Sequence, residues 1–426
     1  MYCGIHVEIE QFNRYHRVME TGRLALLLLP PPPPILSSTA TRAAYGPAID
    51  ATLSHINCDE SPRLDIAIAV PASWLGTKEV SRTALFERAQ KALAQTYSLI
   101  CATAANRQIE LDCLGGIDAR AFFLLPAREP VKELTSRGND QRPFSGPFVD
   151  LATLIESQRA YETLFGVESE GGETLLKSFL VLYESKHRQY PTCRRVPGGL
   201  SITDPSGASG STSTSNRPHT SIAVGGTFDH LHIGHKLLLT ATALFAEPKG
   251  SLRNSSETVL LTIGISGDDL LTSKRFAEEL ESWDTRQQKV ADFLESVVVF
   301  SASSDVSRKV ECISSHGPNG RYVGVTFGSN ITIDYVQIAD PFGPTITDEN
   351  ISALVLSKET RSGGEAINEK RQEKGWTPLE IFEIDVLGVS PGDEEEEDAT
   401  PATAAFESKI SSTEIRRRIH EKRNAE

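Results

Sequence analysis

The chain has 426 residues and a formal net charge of −14, long enough for about two domains with sizeable cores. The acidic balance argues against nonspecific binding of nucleic acid or of an anionic membrane surface, so an anionic ligand must be met by local cations. Six cysteines are scattered without paired spacing, which predicts reduced thiols rather than a disulfide framework. No stretch approaches the roughly 18 apolar residues needed to cross a bilayer, and the start of the chain has no leader pattern, so a cytoplasmic protein is expected.

Residues 1–44 are expected to be disordered and proline-rich, because the apolar run at 24–29 is cut off by five prolines at 30–34 that favour a stiff spacer. Residues 45–186 read as an accessory α/β domain. Strands are predicted at 64–70 and 122–125, and a helix from the stripe Ala84, Leu85, Ala89, Ala92, Leu93 and Tyr97. Further helices are predicted from Leu151, Leu154, Ile155, Tyr161 and Leu164, and over 175–183. No catalytic constellation lies in this part; stability or partner contact is its expected role. Residues 187–220 turn polar, and the Ser/Gly/Thr run at 206–215 reads as a flexible linker.

From residue 221 to 426 strands and helices alternate. Strands are predicted at 222–224, 259–265, 297–300, 322–326, 353–356 and 381–387, and helices at 236–246, 285–295, 363–374 and 413–421. Asp284 with Gln287 resembles a capping box. The alternation predicts a Rossmann-like parallel sheet with helices on both faces, whose ligand binds beyond the carboxyl ends of the strands. An acidic insert at 390–407 reads as a solvated loop.

The richest segment is Gly225-Gly226-Thr227-Phe228-Asp229-His230-Leu231-His232-Ile233-Gly234-His235. It reads as a strand end, a glycine turn and a helix starting near His235, which brings backbone N–H groups, the positive helix end and imidazoles to one point. A zinc site on the three histidines is disfavoured, since no cysteine or carboxylate follows at a zinc spacing. Near the other end, Ser411-Ser412-Thr413 open a helix, with Arg416 one turn on from Thr413. One hydroxyl should cap that helix and leave the others free for an anion.

Gly226-Thr227-Phe228-Asp229 with His232-x-Gly234-His235 resembles the first signature of the nucleotidyltransferase superfamily, and Ile410-Ser411-Ser412-Thr413-x-x-Arg416 resembles its partner motif. Asp340-Pro341-Phe342-Gly343-Pro344, Glu359-Thr360, Gly363-Gly364 and Asn368-x-x-Arg371 narrow the resemblance to the pantetheine-phosphate adenylyltransferases of the eukaryotic and archaeal type, over about residues 221–420. The reaction this implies joins the adenylyl group of ATP to 4′-phosphopantetheine, giving dephospho-coenzyme A and pyrophosphate. His232, His235 and Lys274 are then the catalytic set. His235 stabilises the α-phosphate and His232 reaches the β/γ region. Gly226, Phe228, Asn368, Arg371, Ser411, Ser412, Thr413 and Arg416 are assigned to ATP, and Thr227 and Lys274 to the acceptor phosphate. Mg²⁺ arrives with ATP, and no residue is assigned as a metal ligand; fixing the turn is as good a role for Asp229 as approaching the metal. For Arg361 no role can be chosen.

His-x-Gly-His is also a class I aminoacyl-tRNA synthetase signature, but a Lys-Met-Ser-Lys-Ser loop is missing, the only methionines being Met1 and Met19. Cytidylyl or nicotinamide-mononucleotide adenylyl transfer shares the first motif and stays as an alternative, as does a non-catalytic scaffold that gathers coenzyme A enzymes through the N-terminal region. No Gly-x-x-x-x-Gly-Lys-Ser/Thr loop occurs, so a monofunctional transferase without a fused kinase is expected.

Overall fold

The computed structural model describes residues 23–425 apart from 59–61, 76–80, 112–115, 127–145, 188–189, 201–216, 248–257, 301–307, 318–319, 329–330, 386 and 388–410. The serine-rich linker and the acidic insert therefore lie outside the described residues. The N-terminal unit runs β1 (Leu24–Leu29), α1 (Ser38–His55), β2 (Arg63–Ala69), α2 (Arg82–Asn106), β3 (Asp118–Leu125), β4 (Phe148–Asp150), α3 (Leu151–Glu156), β5 (Tyr161–Glu168), α4 (Glu170–Lys186) and β6 (Thr192–Pro197). Its six-stranded sheet has the order β4-β3-β2-β1-β5-β6, with every pairing parallel.

For residues 23–44 this corrects the expectation of disorder; residues 1–22 lie outside the described residues. Leu24–Leu29 form a central strand, with Leu27 and Leu29 in one core and Leu26 and Leu28 in the other. A continuous apolar run is what a parallel strand buried on both faces requires. The prolines end that strand, and the Tyr45 hydroxyl donates to the Pro30 carbonyl at 2.6 Å. Residues 192–197, expected in the linker, are an edge strand paired to β5. Tyr161 and Leu164, expected on a helix, belong to strand β5, the helix before it having ended at Glu156.

The C-terminal unit runs β7 (Ser221–Gly226), α5 (Ile233–Ala243), β8 (Val259–Ser266), α6 (Trp283–Val298), β9 (Arg308–Gly317), β10 (Gly320–Phe327), β11 (Ile331–Ile338), β12 (Ala353–Ser357), α7 (Arg361–Glu373), β13 (Glu380–Ile384) and α8 (Ser412–Ala425). The seven-stranded sheet has the order β13-β12-β7-β8-β11-β10-β9, and every pairing is parallel except the two that β10 makes, with β11 and with β9. The chain steps from β7 to β8 on one side and returns to β12 on the other. The winding thus reverses beside β7, where parallel sheets open a crevice at their carboxyl edge.

The strand predicted at 297–300 is instead the end of α6, which runs through Val298. Ser282 caps that helix by accepting from the Thr285 N–H at 3.3 Å, the place the sequence had offered to Asp284. The apolar demand of 297–300 is met by the N-terminal unit. Phe300 lies in that unit's second core, edge-on to Phe122 at 4.9 Å and under the Arg159 guanidinium at 3.9 Å. Arg159 also donates to the carbonyls of Ser296 and Val299, at the carboxyl end of α6, where a cation suits the helix dipole. Gly146 allows a close approach of the two backbones. A Cβ there would stand 2.0 Å from the Val297 carbonyl oxygen.

The two sheets therefore share one interior. The main core joins residues of both units, and Phe86 packs on Phe245 and Phe382 at 5.0 and 5.1 Å between ring centres. Helix α5 lies between the units, touching α2 and β3 on one side and β7, β12 and α6 on the other. Among the described residues no helix is long and apolar enough to cross a membrane.

Candidate active site

The histidine segment leaves the carboxyl end of β7 and enters α5 through a turn of unusual backbone. Phe228 and His230 take left-handed φ values of 52° and 46°, each costing on the order of 1 kcal/mol or more outside glycine. Such a turn persists when its surroundings over-determine it. The Thr227 carbonyl accepts from Arg286 Nη1 at 2.6 Å, and the His230 N–H donates to Glu281 Oε2 at 3.0 Å. His230 Nε2 lies 2.8 Å from the Glu279 carbonyl. Asp229, fully buried, accepts from the Glu281 N–H at 3.0 Å and from Arg416 Nη1 at 2.5 Å.

The turn delivers His232 to the N-cap of α5, and no side chain caps that helix. Its first N–H groups are left for a ligand, and the dipole favours an anion there. The His232 and His235 rings stack at 3.8 Å, and neither Nδ1 has a hydrogen-bond partner although both are buried. Gly234 makes room for this pair, since a Cβ there would press on the His232 ring at 3.2 Å. Burial, then the neighbouring His235, Lys236 and His230, push the His232 pKa well below its usual 6.5. Burial likewise takes His235 down to about 4 against the opposing pull of Asp229. Both rings are neutral at physiological pH, so each offers one N–H donor and no charge.

The C-terminal motif closes on this turn. Ser411 caps α8, accepting from the Glu414 N–H at 3.4 Å. Ser412 Oγ donates to the Asp229 carbonyl at 2.9 Å, and Thr413 Oγ1 accepts from Arg416 Nη2 at 3.2 Å. Arg416 Nε donates to the Arg275 carbonyl at 3.0 Å, which ties in the segment carrying Lys274. Lys274 is exposed and, among the described residues, has no ion-pair partner.

Several expected ATP contacts are placed elsewhere. Arg371 is fully buried and donates to the carbonyls of Thr345, Asp348, Glu349, Ile351 and Thr377 at 2.7 to 3.1 Å. Its fork organises the loop before β12 and has no donor left for phosphate. Asn368 bonds both backbone groups of Leu379, at 3.1 and 2.7 Å, and pins α7 to the start of β13. Phe228 is in the core, edge-on to His235 at 5.4 Å, so its ring supports a histidine rather than a nucleotide. Arg416 is buried in the contacts above and joins the two motifs rather than reaching out. Gly226 ends β7 at the crevice, and Thr227 is partly exposed beside it. Arg361 is exposed and paired with Glu383 at 2.6 Å.

Arg286 was not anticipated. It is fully buried and binds the carbonyls of Glu281, Thr227 and Ser266 and the Asp268 carboxylate, at 2.6 to 3.0 Å. It thereby holds the carboxyl ends of β7 and β8 together. Its only sequence signal is an arginine on the apolar face of a capped helix.

Residues 18–202 match the model of a family described as a domain of unknown function (DUF8446). An uncharacterized protein of Schizosaccharomyces pombe is 38% identical over 165 residues, 39% of each chain. A protein of Saccharomyces cerevisiae named phosphopantetheine adenylyltransferase is 32% identical over 195 residues, covering 46% of this chain and 47% of that one. Its namesake from Pyrococcus abyssi is 28% identical over 173 residues, 40% of this chain and 82% of the relative. The chain thus spans less than half the length of the first two of these relatives.

Proposed function

We propose that this chain transfers the adenylyl group of ATP to 4′-phosphopantetheine, giving dephospho-coenzyme A and pyrophosphate. The observation that carries the reading is the pair of neutral, unpartnered imidazoles at an uncapped helix start, joined through Asp229 and Arg416 to a second hydroxyl-rich helix start. Named relatives with this activity support the choice of acceptor.

A phosphate oxygen of the acceptor attacks the α-phosphorus in line. The new O–P bond forms as the bond to the β-phosphate oxygen breaks, and pyrophosphate leaves with that electron pair. The acceptor is already ionised at neutral pH, so the protein has no proton to remove. Its work is positioning and stabilisation of charge on the non-bridging oxygens. His235 and the first N–H groups of α5 donate to the α-phosphate oxygens, and His232 donates toward the β/γ end. Thr227 and the uncommitted Lys274 take the acceptor phosphate. Asp229 is occupied by Arg416 and the Glu281 N–H, so it is not a metal ligand. Mg²⁺ arriving with ATP would supply further charge neutralisation on the phosphates, and no residue of the chain is assigned to hold it. No kinase loop for a following step occurs within these 426 residues.

The test is pyrophosphate release by the purified protein with ATP, Mg²⁺ and 4′-phosphopantetheine, beside His235→Ala. Release that depends on phosphopantetheine and falls at least about 100-fold in the variant is expected. Release only with nicotinamide mononucleotide as acceptor, or only with CTP in place of ATP, would move the activity to the related transferases. Silence with every acceptor would leave the chain a scaffold for coenzyme A enzymes.

A further inference from the structure

One short stretch of the N-terminal unit touches both motif helices. Asp118, at the start of β3, accepts from Lys236 Nζ at 2.7 Å. Lys236 follows His235 in the first turn of α5, and its side chain is only 6% exposed. Eight residues earlier in the chain than Asp118, Glu110 accepts from Arg418 Nη1 of α8 at 2.7 Å. The two carboxylates are held close along the chain by the Ile117 N–H, which donates to the Glu110 carbonyl at 2.8 Å. Asp118 is braced in turn. Arg120 Nη2 and Nε donate to its other oxygen at 2.5 and 3.0 Å, and Arg120 Nη1 donates to the Asp292 carbonyl on α6. Burial acts to raise the Asp118 pKa, but Arg120 and Lys236 overcome it and hold the group ionised far below the usual carboxylate range.

In the proposed reaction the ATP phosphates sit at the start of α5. Helix α8 offers them the hydroxyl protons of Ser411 and Thr413, whose oxygens act only as acceptors in the bonds described above. The spacing of those two helices therefore sets the grip on the triphosphate. Within the C-terminal unit, the buried Asp229–Arg416 and Ser412 contacts join the α5 turn to the start of α8. The outer side of each is anchored to the N-terminal unit. We infer that Glu110 and Asp118 are positioning residues for adenylyl transfer, and that the N-terminal unit acts as a caliper that fixes the distance between the two phosphate-binding helices. This rests on the proposed function for its reaction, but its effect on nucleotide binding is separable from the identity of the acceptor.

The experiment uses the full chain with Glu110→Gln, Glu110→Arg, and Glu110→Arg combined with Arg418→Glu. Each is assayed for pyrophosphate release and for binding of α,β-methylene-ATP by calorimetry, with the melting temperature measured alongside. Glu110→Gln should raise the KM for ATP and the Kd of the analogue about 3- to 10-fold, the range of a coupling carried by one partly buried pair. The KM for phosphopantetheine and the melting temperature should hardly change. The charge-exchanged pair should bind the analogue within about twofold of the unmodified protein, as a restored ion pair predicts. Asp118→Asn should lower kcat about 10-fold through misplacement of His235, with Asp118→Glu recovering part of it. If Asp118→Asn does not fold, the Glu110–Arg418 exchange still decides. Unchanged ATP parameters in Glu110→Gln, or an exchanged pair no better than Glu110→Arg alone, would overturn the inference. Absence of phosphopantetheine-dependent turnover, with analogue binding still weakened by Glu110→Gln, would sink the acceptor and support the caliper.

Discussion

A neutral imidazole donates a hydrogen bond without bringing a charge into a buried turn, and that choice has a measurable cost in acid. In the unfolded chain both His232 and His235 bind a proton near pH 6.5, whereas in the folded protein His235 resists until about pH 4 and His232 is pushed down further than its usual value by burial. Through this interval the unfolded chain holds more protons, so stability must fall as the pH drops, by at most about 1.4 kcal/mol per pH unit for each ring. Urea unfolding across the interval should show this slope, and His235→Asn should make it shallower. An unchanged slope would mean that the ring is not held neutral. The Asp229–Arg416 pair makes the complementary prediction. Arg416→Met strands a fully buried carboxylate and should destabilise by about 3–5 kcal/mol. Arg416→Lys should not rescue it, because a lysine cannot reach the Arg275 carbonyl, Asp229 and Thr413 together. The two histidines were legible because their spacing around Gly234 has few other uses. Arginines were not legible. Arg371, Arg416 and Arg286 look alike in sequence, and which carbonyls or carboxylates claim a guanidinium depends on loops brought together from far along the chain.

At the scale of elements, seven of the thirteen strands among the described residues (β2, β3, β7, β8, β10, β12 and β13) were expected from the sequence, and β1, β4, β5, β6, β9 and β11 were not. Leu24–Leu29 has no alternation because both of its faces are covered, and the prolines after it suggested a spacer. The run at 297–300 failed in the opposite sense. Its apolar residues serve the other unit's core, a demand that local propensity cannot express. Helix α5 was the clearest, since its apolar residues extend around the helix and imply cover on more than one side. Helix α7 shows how a motif residue can be structural. Asn368→Ala removes both bonds to Leu379 and leaves a partly buried N–H and carbonyl unpaired, so it should cost about 1–3 kcal/mol. The KM for ATP should stay where it is. A large rise in that KM without loss of stability would return Asn368 to the nucleotide.

At the scale of the whole molecule, two parallel sheets with helices on their faces are fused along α5 rather than strung on a linker. The serine-rich run made a separable accessory domain the natural expectation, because composition reports where a chain is polar and not what its flanks touch. The contacts between the units include the Phe86, Phe245 and Phe382 rings, the Arg82 N–H to Glu247 at 2.6 Å, and Phe300 seated beside Arg159. Removing residues 1–200 would expose the outer face of α5 and strand the Lys236 ammonium, whose side chain is 6% exposed. An apolar face of that kind without its cover aggregates. The C-terminal unit alone should therefore be insoluble or molten, with no cooperative unfolding. Phe300→Ala tests the same seam in the intact chain. It empties a ring-sized space between Phe122 and Arg159 and should cost about 3–5 kcal/mol, a loss read directly by urea unfolding. Because Phe300 lies in the N-terminal core while α6 also touches α5, its loss should loosen both units in one transition. Two separated transitions, or a truncated chain that unfolds cooperatively and turns over ATP at the full rate, would show that the sheets fold and work independently.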